Sequence, residues 1–179
     1  MRSIRTTAVS TGEQLLAFGA LLGRSGRTIE SEISGTSMGS TLPSGCRIRI
    51  RPLASEEYRS GQVVAFVAGS ALFAHRIVYC GRQGVLTRGD SHTLCDLPVP
   101  MSAIVGVVSD YFVNGKWHLL DNSAPLDGEM KKRNRVIEGL LRVCLQIDIR
   151  VARRVSRILL WLAGWRRHLI AGQPSEFVK

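Results

Sequence analysis

Arg47-Ile48-Arg49-Ile50-Arg51, closed by Pro52, is the stretch that decides the fold class. Charged and aliphatic side chains alternate with period two, and a strand turns successive side chains to opposite faces, so this segment reads as a half-buried strand. Pro52 lacks the amide that a ladder needs and ends it. Outward from it, between Ile33 and about Leu120, short runs rich in β-branched residues are separated by Gly, Pro and Ser. Residues 62–67, 72–79, 85–87, 104–108 and 117–120 are further strand candidates, residues 56–61 a polar connection, and Asn114-Gly115 a hairpin turn. The expected core is mainly β.

The flanks differ in character. Ser10-Thr11-Gly12-Glu13 has the spacing of a capping box, which predicts a short helix over about 11–22 that ends near Gly23. After Asn122-Ser123-Ala124-Pro125 the composition turns helical. At 100° per residue Ile137, Leu140, Leu141, Cys144, Ile147, Val151, Val155, Ile158, Leu162 and Trp165 share one side, with Glu138, Arg142, Gln146, Arg150, Arg153 and Arg157 opposite. This predicts one long basic amphipathic helix broken near Gly164. The organisation expected is therefore an N-terminal helix and linker over 1–30, a β body over 31–125 and a helical tail over 126–179.

At 179 residues with 45% apolar content the chain can bury an ordinary core. The formal charge of +10 is concentrated. Residues 131–168 hold eleven Lys or Arg against Glu138 and Asp148 alone, so the positive charge belongs to the tail and not to the β body. Cys46, Cys80, Cys95 and Cys144 show neither a Cys-x-x-Cys pair nor a regular spacing, which suggests a reducing compartment, without a disulfide framework or zinc knuckle. The longest uncharged apolar runs fall short of the ~20 residues that span a bilayer. Arg2 and Arg5 before Leu15 to Leu22 imitate a signal peptide, but Gly23-Arg24-Ser25 lacks the small-x-small cleavage pattern, so retention is expected.

Chemistry concentrates after residue 34. Ser37 lies in a small-residue turn, Gly35-Thr36-Ser37-Met38-Gly39-Ser40-Thr41-Leu42-Pro43-Ser44-Gly45, followed by His75-Arg76, Gly89-Asp90 and Asp96. In chain order these supply a nucleophile, a base and an orienting carboxylate, the set that acyl transfer by serine needs. Taken singly, the turn reads as a plain loop, His75 as a core histidine in a strand and Asp90 as a turn aspartate bonding its own loop. His92, Cys95, Asp90 and Asp96 match no standard metal spacing and read as a solvated turn, so neither a metal nor another cofactor is expected.

Together, the segments resemble the signal peptidase I family of serine proteases. Residues 35–42 occupy the place of its Gly-x-Ser-Met-x-Pro-Thr-Leu nucleophile box, and Gly45-Cys46-Arg47-Ile48-Arg49-Ile50 that of its Gly-Asp and alternating strand. Gly61-Gln62-Val63-Val64-Ala65-Phe66 matches its Gly-Asp-Ile-Val-x-Phe strand, Ala74-His75-Arg76-Ile77-Val78 the base-bearing strand, and Leu86-Thr87-Arg88-Gly89-Asp90-Ser91-His92 its Thr-Lys-Gly-Asp-Asn-Asn segment. The resemblance covers roughly residues 33–108. Ser40 stands where the box has proline, and Cys46 where an aspartate follows Gly45.

The resemblance implies a signal-peptidase or self-cleaving-repressor type of β fold and a serine endopeptidase acting on a precursor peptide or protein. One branch of the family uses a lysine base and another a histidine followed by arginine and an aspartate. No lysine precedes Lys116, so the histidine branch is the one implied, with Ser37 as nucleophile and His75 as general base. An imidazole titrates near ~6.5 and can serve at neutral pH. The branch's second acidic site, six residues after the Gly-Asp aspartate, maps to Asp96. Asp90, Gly35, Met38 and Arg76 map to supporting positions, and the oxyanion falls mainly to the Ser37 amide.

For the basic tail, packing on the β body, an anionic membrane boundary met through residues 131–168, and nucleic acid are the three readings. The membrane surface is preferred to nucleic acid, because the core lacks stacking aromatics and a helix-turn-helix signal. The expected location is the cytoplasm or the cytoplasmic face of the membrane, with no transmembrane helix. The competing functions are a catalytically silent binding or regulatory domain on the same fold, and a basic membrane-surface adaptor.

Overall fold

The alternating segment is strand β2 (Arg47–Arg51), with Ile48 and Ile50 buried and both end arginines exposed. The computed structural model describes residues 27–122 and 132–162, together with positions 14 and 17, both helical. Apart from those two positions, the helix expected over 11–22 lies outside the described residues, as does the expected break near Gly164. Among the described residues eight antiparallel strands form one sheet: β1 (Ile29–Glu32), β2, β3 (Val63–Ala68), β4 (Ala71–Cys80), β5 (Gly84–Arg88), β6 (Val99–Pro100), β7 (Ile104–Val113) and β8 (Lys116–Leu119). Their order is β1-β2-β7-β3-β4-β5-β6, with β8 also paired to β7. β7 thus sits between β2 and β3 and ties the N-terminal hairpin to the β3–β4 hairpin.

Asn114 and Gly115, with φ of 51° and 76°, turn the β7–β8 hairpin. Two adjacent left-handed residues are what a two-residue type I′ turn requires, and Asn-Gly supplies them at least cost. One buried cluster gathers Ile48, Ile50, Val63, Ala65 and Val108 together with Met38 and Leu42 of the serine turn. A second forms on the other side of β3 and β4, around Val64, Phe66 and Ile77. The same strands therefore feed two cores, as a period of two demands.

The mainly β class is observed, and among the described residues two helices follow it in place of one: α1 (Lys132–Ile147) and α2 (Ile149–Leu162). The break falls at Asp148. Its Oδ1 accepts the Arg150 amide, and Gln83 Oε1 accepts the Ile149 amide at 3.0 Å, so the opening amides of α2 are capped by side chains. The break also changes which faces are buried. Leu141 and Cys144 are buried and Ile137 is half-buried, whereas Leu140, Ile147, Val151 and Ile158, expected on that same side, are exposed or nearly half exposed. Glu138, expected to face solvent, is buried and pairs with Arg142.

The helices dock on the β4–β5 turn. Leu145 lies where a Cβ on Gly81 would come within 3.1 Å of its Cγ, and Ile149 Cδ1 lies 2.4 Å from the Cβ position of Gly84. Both glycines leave room for a side chain from the helices. Gln146 Nε2 donates to the Tyr79 hydroxyl at 3.0 Å, and Asn134 Nδ2 to the Thr93 carbonyl at 2.9 Å. Among the described residues no helix is long and apolar enough to cross a membrane.

Docking by a buried leucine carries a measurable cost. Leu145 is 1% exposed and Ile147 is 69% exposed. Leu145→Ala is expected to lower unfolding stability by about 2–4 kcal/mol, and Ile147→Ala to change it by less than about 0.5 kcal/mol, in urea titrations of the two variants.

Candidate active site

The turn that carries Ser37 is built from two successive backbone bonds, Gly39 N–H to Thr36 O at 3.0 Å and Thr41 N–H to Met38 O at 3.0 Å. Gly39 has φ of 56° and Gly35 of 117°, in the region where a side chain is strained, so glycine suits both. Met38 and Leu42 are buried at 2% and 1% exposure and fix the turn to the core, with Ser37 between an exposed Thr36 and a buried Met38. Gly35 is exposed, its amide donating to Ser44 Oγ at 3.2 Å.

His75 is the last residue of β4 before the part of the strand that β5 covers. β5 ends at Arg88, paired with Arg76, and the chain leaves the sheet at Gly89. Gly89 passes so close to the serine turn that a Cβ there would stand 2.6 Å from the Ser37 carbonyl oxygen and 3.1 Å from Ser37 Cβ. Only glycine fits. The Ser91 amide donates to the Ser37 carbonyl at 2.9 Å, and Ser91 Oγ to the Thr36 carbonyl at 3.1 Å, which joins the two loops.

Between them the side chains form one chain of hydrogen bonds. His75 Nε2 lies 2.9 Å from Ser37 Oγ, and His75 Nδ1 lies 2.7 Å from Asp96 Oδ2. A carboxylate only accepts, so Nδ1 carries the proton toward Asp96 and the Nε2 lone pair faces the serine hydroxyl. Asp96 Oδ2 also accepts the Thr87 hydroxyl at 2.7 Å, and the Asp96 amide donates to the Thr87 carbonyl at 2.8 Å. His75 is 5% exposed, with the Phe66, Phe73 and His92 rings around it at centroid distances of 5.9, 6.2 and 5.8 Å.

Asp90 does a different job from Asp96. Arg76 reaches it twice, Nε to Oδ1 at 3.0 Å and Nη2 to Oδ2 at 2.8 Å, and Thr41 Oγ1 donates to Oδ2 at 2.7 Å. Arg76 Nη1 donates to the Gly61 carbonyl at 2.7 Å. Burial pushes the Asp90 carboxyl up, but the hydrogen bonds from Arg76 and Thr41 and the charges of Arg76 and Arg88 outweigh it and hold it below its ordinary value. Asp90 therefore bridges β4 to the serine turn, away from the imidazole.

The structure brings Ser37, His75 and Asp96 together and places Asp90, Arg76, Gly35 and Met38 in the surrounding frame. Sequence reading did not single out Thr87, Thr41 or Gly89 for these contacts. Thr87 and Gly89 lie in the matched Leu86 to His92 segment and Thr41 in the serine box, so position was available as a signal, while the partners depend on strand register. Cys46 is a buried core residue whose thiol burial pushes up. Cys95, beside Asp96, is pushed up to about 12 by burial first and by the Glu138 charge next, and stays a thiol. Among the described residues no group of three or more His, Cys, Asp or Glu is placed to hold a metal ion. Compared with protein-family models, curated proteins and solved structures, the chain matches none.

The Asp90 bridge has a pH signature. A carboxyl whose folded pKa is depressed contributes stability above its unfolded value of ~3.9, and that contribution is lost as pH falls through the folded value. Arg76 is 2% exposed, so Asp90→Asn leaves a buried guanidinium without its counter-charge. The variant is expected to be about 3 kcal/mol less stable at neutral pH, with the gap closing below about pH 4, as read from urea midpoints across that range.

Proposed function

We propose that this chain is a serine endopeptidase of the signal peptidase I type, in the histidine-base branch, that cuts a precursor peptide or protein. The observation that carries the reading is the unbroken Ser37–His75–Asp96 hydrogen-bond chain, 2.9 Å and 2.7 Å, on a buried imidazole. In this reading the β body is a variant of the signal-peptidase and self-cleaving-repressor fold. The resemblance of the segments from Gly35 to His92 supports the same assignment independently of the geometry. The four cysteines, without a paired spacing in the sequence, support a reducing compartment, in the cytoplasm or at the cytoplasmic face of the membrane.

The chemistry runs through two ester-forming and ester-breaking halves. His75 Nε2 takes the Ser37 proton as Oγ attacks the scissile carbonyl carbon, and the carbonyl oxygen becomes an oxyanion facing the Ser37 amide. The imidazolium gives that proton to the leaving amine, the C–N bond breaks, and an ester on Ser37 remains. Water, deprotonated by the same Nε2, then attacks the ester and releases the acid and the serine hydroxyl. Asp96 holds the Nδ1 proton and offsets the positive charge that forms on the ring, and Thr87 keeps Asp96 in line. The family resemblance implies an extended substrate with small residues before the cut.

A silent binding domain would need none of this alignment, so cleavage separates the two. Peptide pools with small residues at the cut are to be digested by the wild type and by Ser37→Ala, His75→Ala and Asp96→Asn, with products read by mass spectrometry. The expected result is site-specific cleavage that falls about 10³-fold or more in each variant. Cleavage that is unchanged in Ser37→Ala, or wild-type protein that cuts nothing in the pools, would contradict the reading.

A further inference from the structure

We infer that the outward faces of α1 and α2 form a docking surface for an anionic lipid membrane, a property separate from the Ser37 chemistry. On α1, Val136, Leu140, Val143 and Ile147 recur at helical spacing and are 71%, 45%, 55% and 69% exposed. Their spacing of four, three and four residues puts them in one stripe. Leu141, Cys144 and Leu145, on the neighbouring face of α1, are the ones that are buried, so this stripe is surplus to the core. Isolated exposed aliphatics are ordinary, but a continuous stripe on a docked helix marks an interaction surface.

Charge identifies the occupant. On α1 Arg135 is exposed, while Arg142, exposed as well, is already paired with Glu138 and lies over the Tyr79 ring, so the unpaired positive charge comes mainly from α2. On α2, Val151, Ile158 and Trp161 are exposed at 42%, 56% and 56%, interleaved with the exposed Arg150, Arg154 and Arg157. The two carboxylates of these helices are withdrawn: Glu138 is buried against Arg142, and Asp148 is half-buried and caps α2. The exposed faces therefore present cations and apolar groups without an exposed carboxylate among the described residues of the two helices.

An anionic bilayer surface answers both features. Arginines meet the headgroups while valine, leucine, isoleucine and tryptophan leave water at the acyl boundary. A phosphate backbone would satisfy the arginines but leave the apolar stripe wet. A second copy of this chain would cover the stripe but set like charges against one another. Because Asn134 of α1 holds the Thr93 carbonyl three residues before Asp96, a membrane seated on these helices lies over the element that supports the candidate site.

The test is sedimentation of the full chain with vesicles of phosphatidylcholine alone and with about one-third phosphatidylglycerol, at low and raised salt. Two variants accompany it, Arg150→Glu/Arg154→Glu/Arg157→Glu and Val143→Asn/Ile147→Asn, all at exposed positions, with thermal melts to show that each folds. Partitioning at least about tenfold stronger onto the anionic vesicles is expected, weakened by salt and lost to a similar extent in each variant. Equal partitioning onto both vesicles, or anionic binding unchanged in either folded variant, would overturn the proposal. So would an absence of binding to the anionic vesicles; dimers in light scattering, or retention of a single-stranded RNA, would then assign the face to a second copy or to nucleic acid.

Discussion

The alternation of β4 is the constraint on which the site depends. His75 and Arg76 are consecutive residues of one strand, so they must point to opposite sides of the sheet. One side receives the imidazole, beside Phe66 and Phe73 and facing Ser37 and Asp96. The other receives a guanidinium that is 2% exposed and has to find an anion, because an unpaired buried charge costs several kcal/mol. Asp90 is that anion. Its second oxygen also holds Thr41, so the arginine's demand for a partner fixes the far end of the same turn that presents Ser37.

Other close contacts follow from that pair. With Asp90 held against Arg76, the chain just before it must cross the serine turn, and it does so at Gly89, where the Ser37 carbonyl leaves no room for a side chain. On the imidazole side, Ile77 pairs with Thr87 across β4 and β5, and Thr87 then meets Asp96 through both its carbonyl and its hydroxyl. Register thus sets the position of the carboxylate more than the loop that carries it. α1 adds an outer brace, since Asn134 and Glu138 both reach the 93–95 segment, through the Thr93 carbonyl and the Cys95 thiol.

Much of this was legible in the residues, and the failures have identifiable causes. The period-two run at Arg47 to Arg51, the Asn114-Gly115 turn and the aliphatic runs of β3 to β5 marked the sheet, because burial on one face leaves a pattern in composition. β1 escaped notice: Ile29-Glu30-Ser31-Glu32 is an edge strand whose charges read as linker, and Arg49 pairs with Glu30 across the ladder. β6 is two residues long and ends in proline, too short for any periodicity. The single helix failed at Asp148, because a 100° rotation carried through a capping residue preserves the apparent phase while the real axis changes. Ser37, His75 and Asp96 could be ordered along the chain, but the bonds to Thr87 and Thr41 depend on cross-strand and loop contacts that no linear spacing encodes.

Activation of Ser37 by His75 is read most simply from acylation of that serine by a small activated ester such as p-nitrophenyl acetate. A burst of nitrophenolate approaching one equivalent per chain is expected, with the acetyl group mapped to Ser37 by peptide mass and the burst abolished in His75→Ala. Absence of acetyl on Ser37 in the folded wild type, or acetylation at an equal rate in His75→Ala, would contradict it.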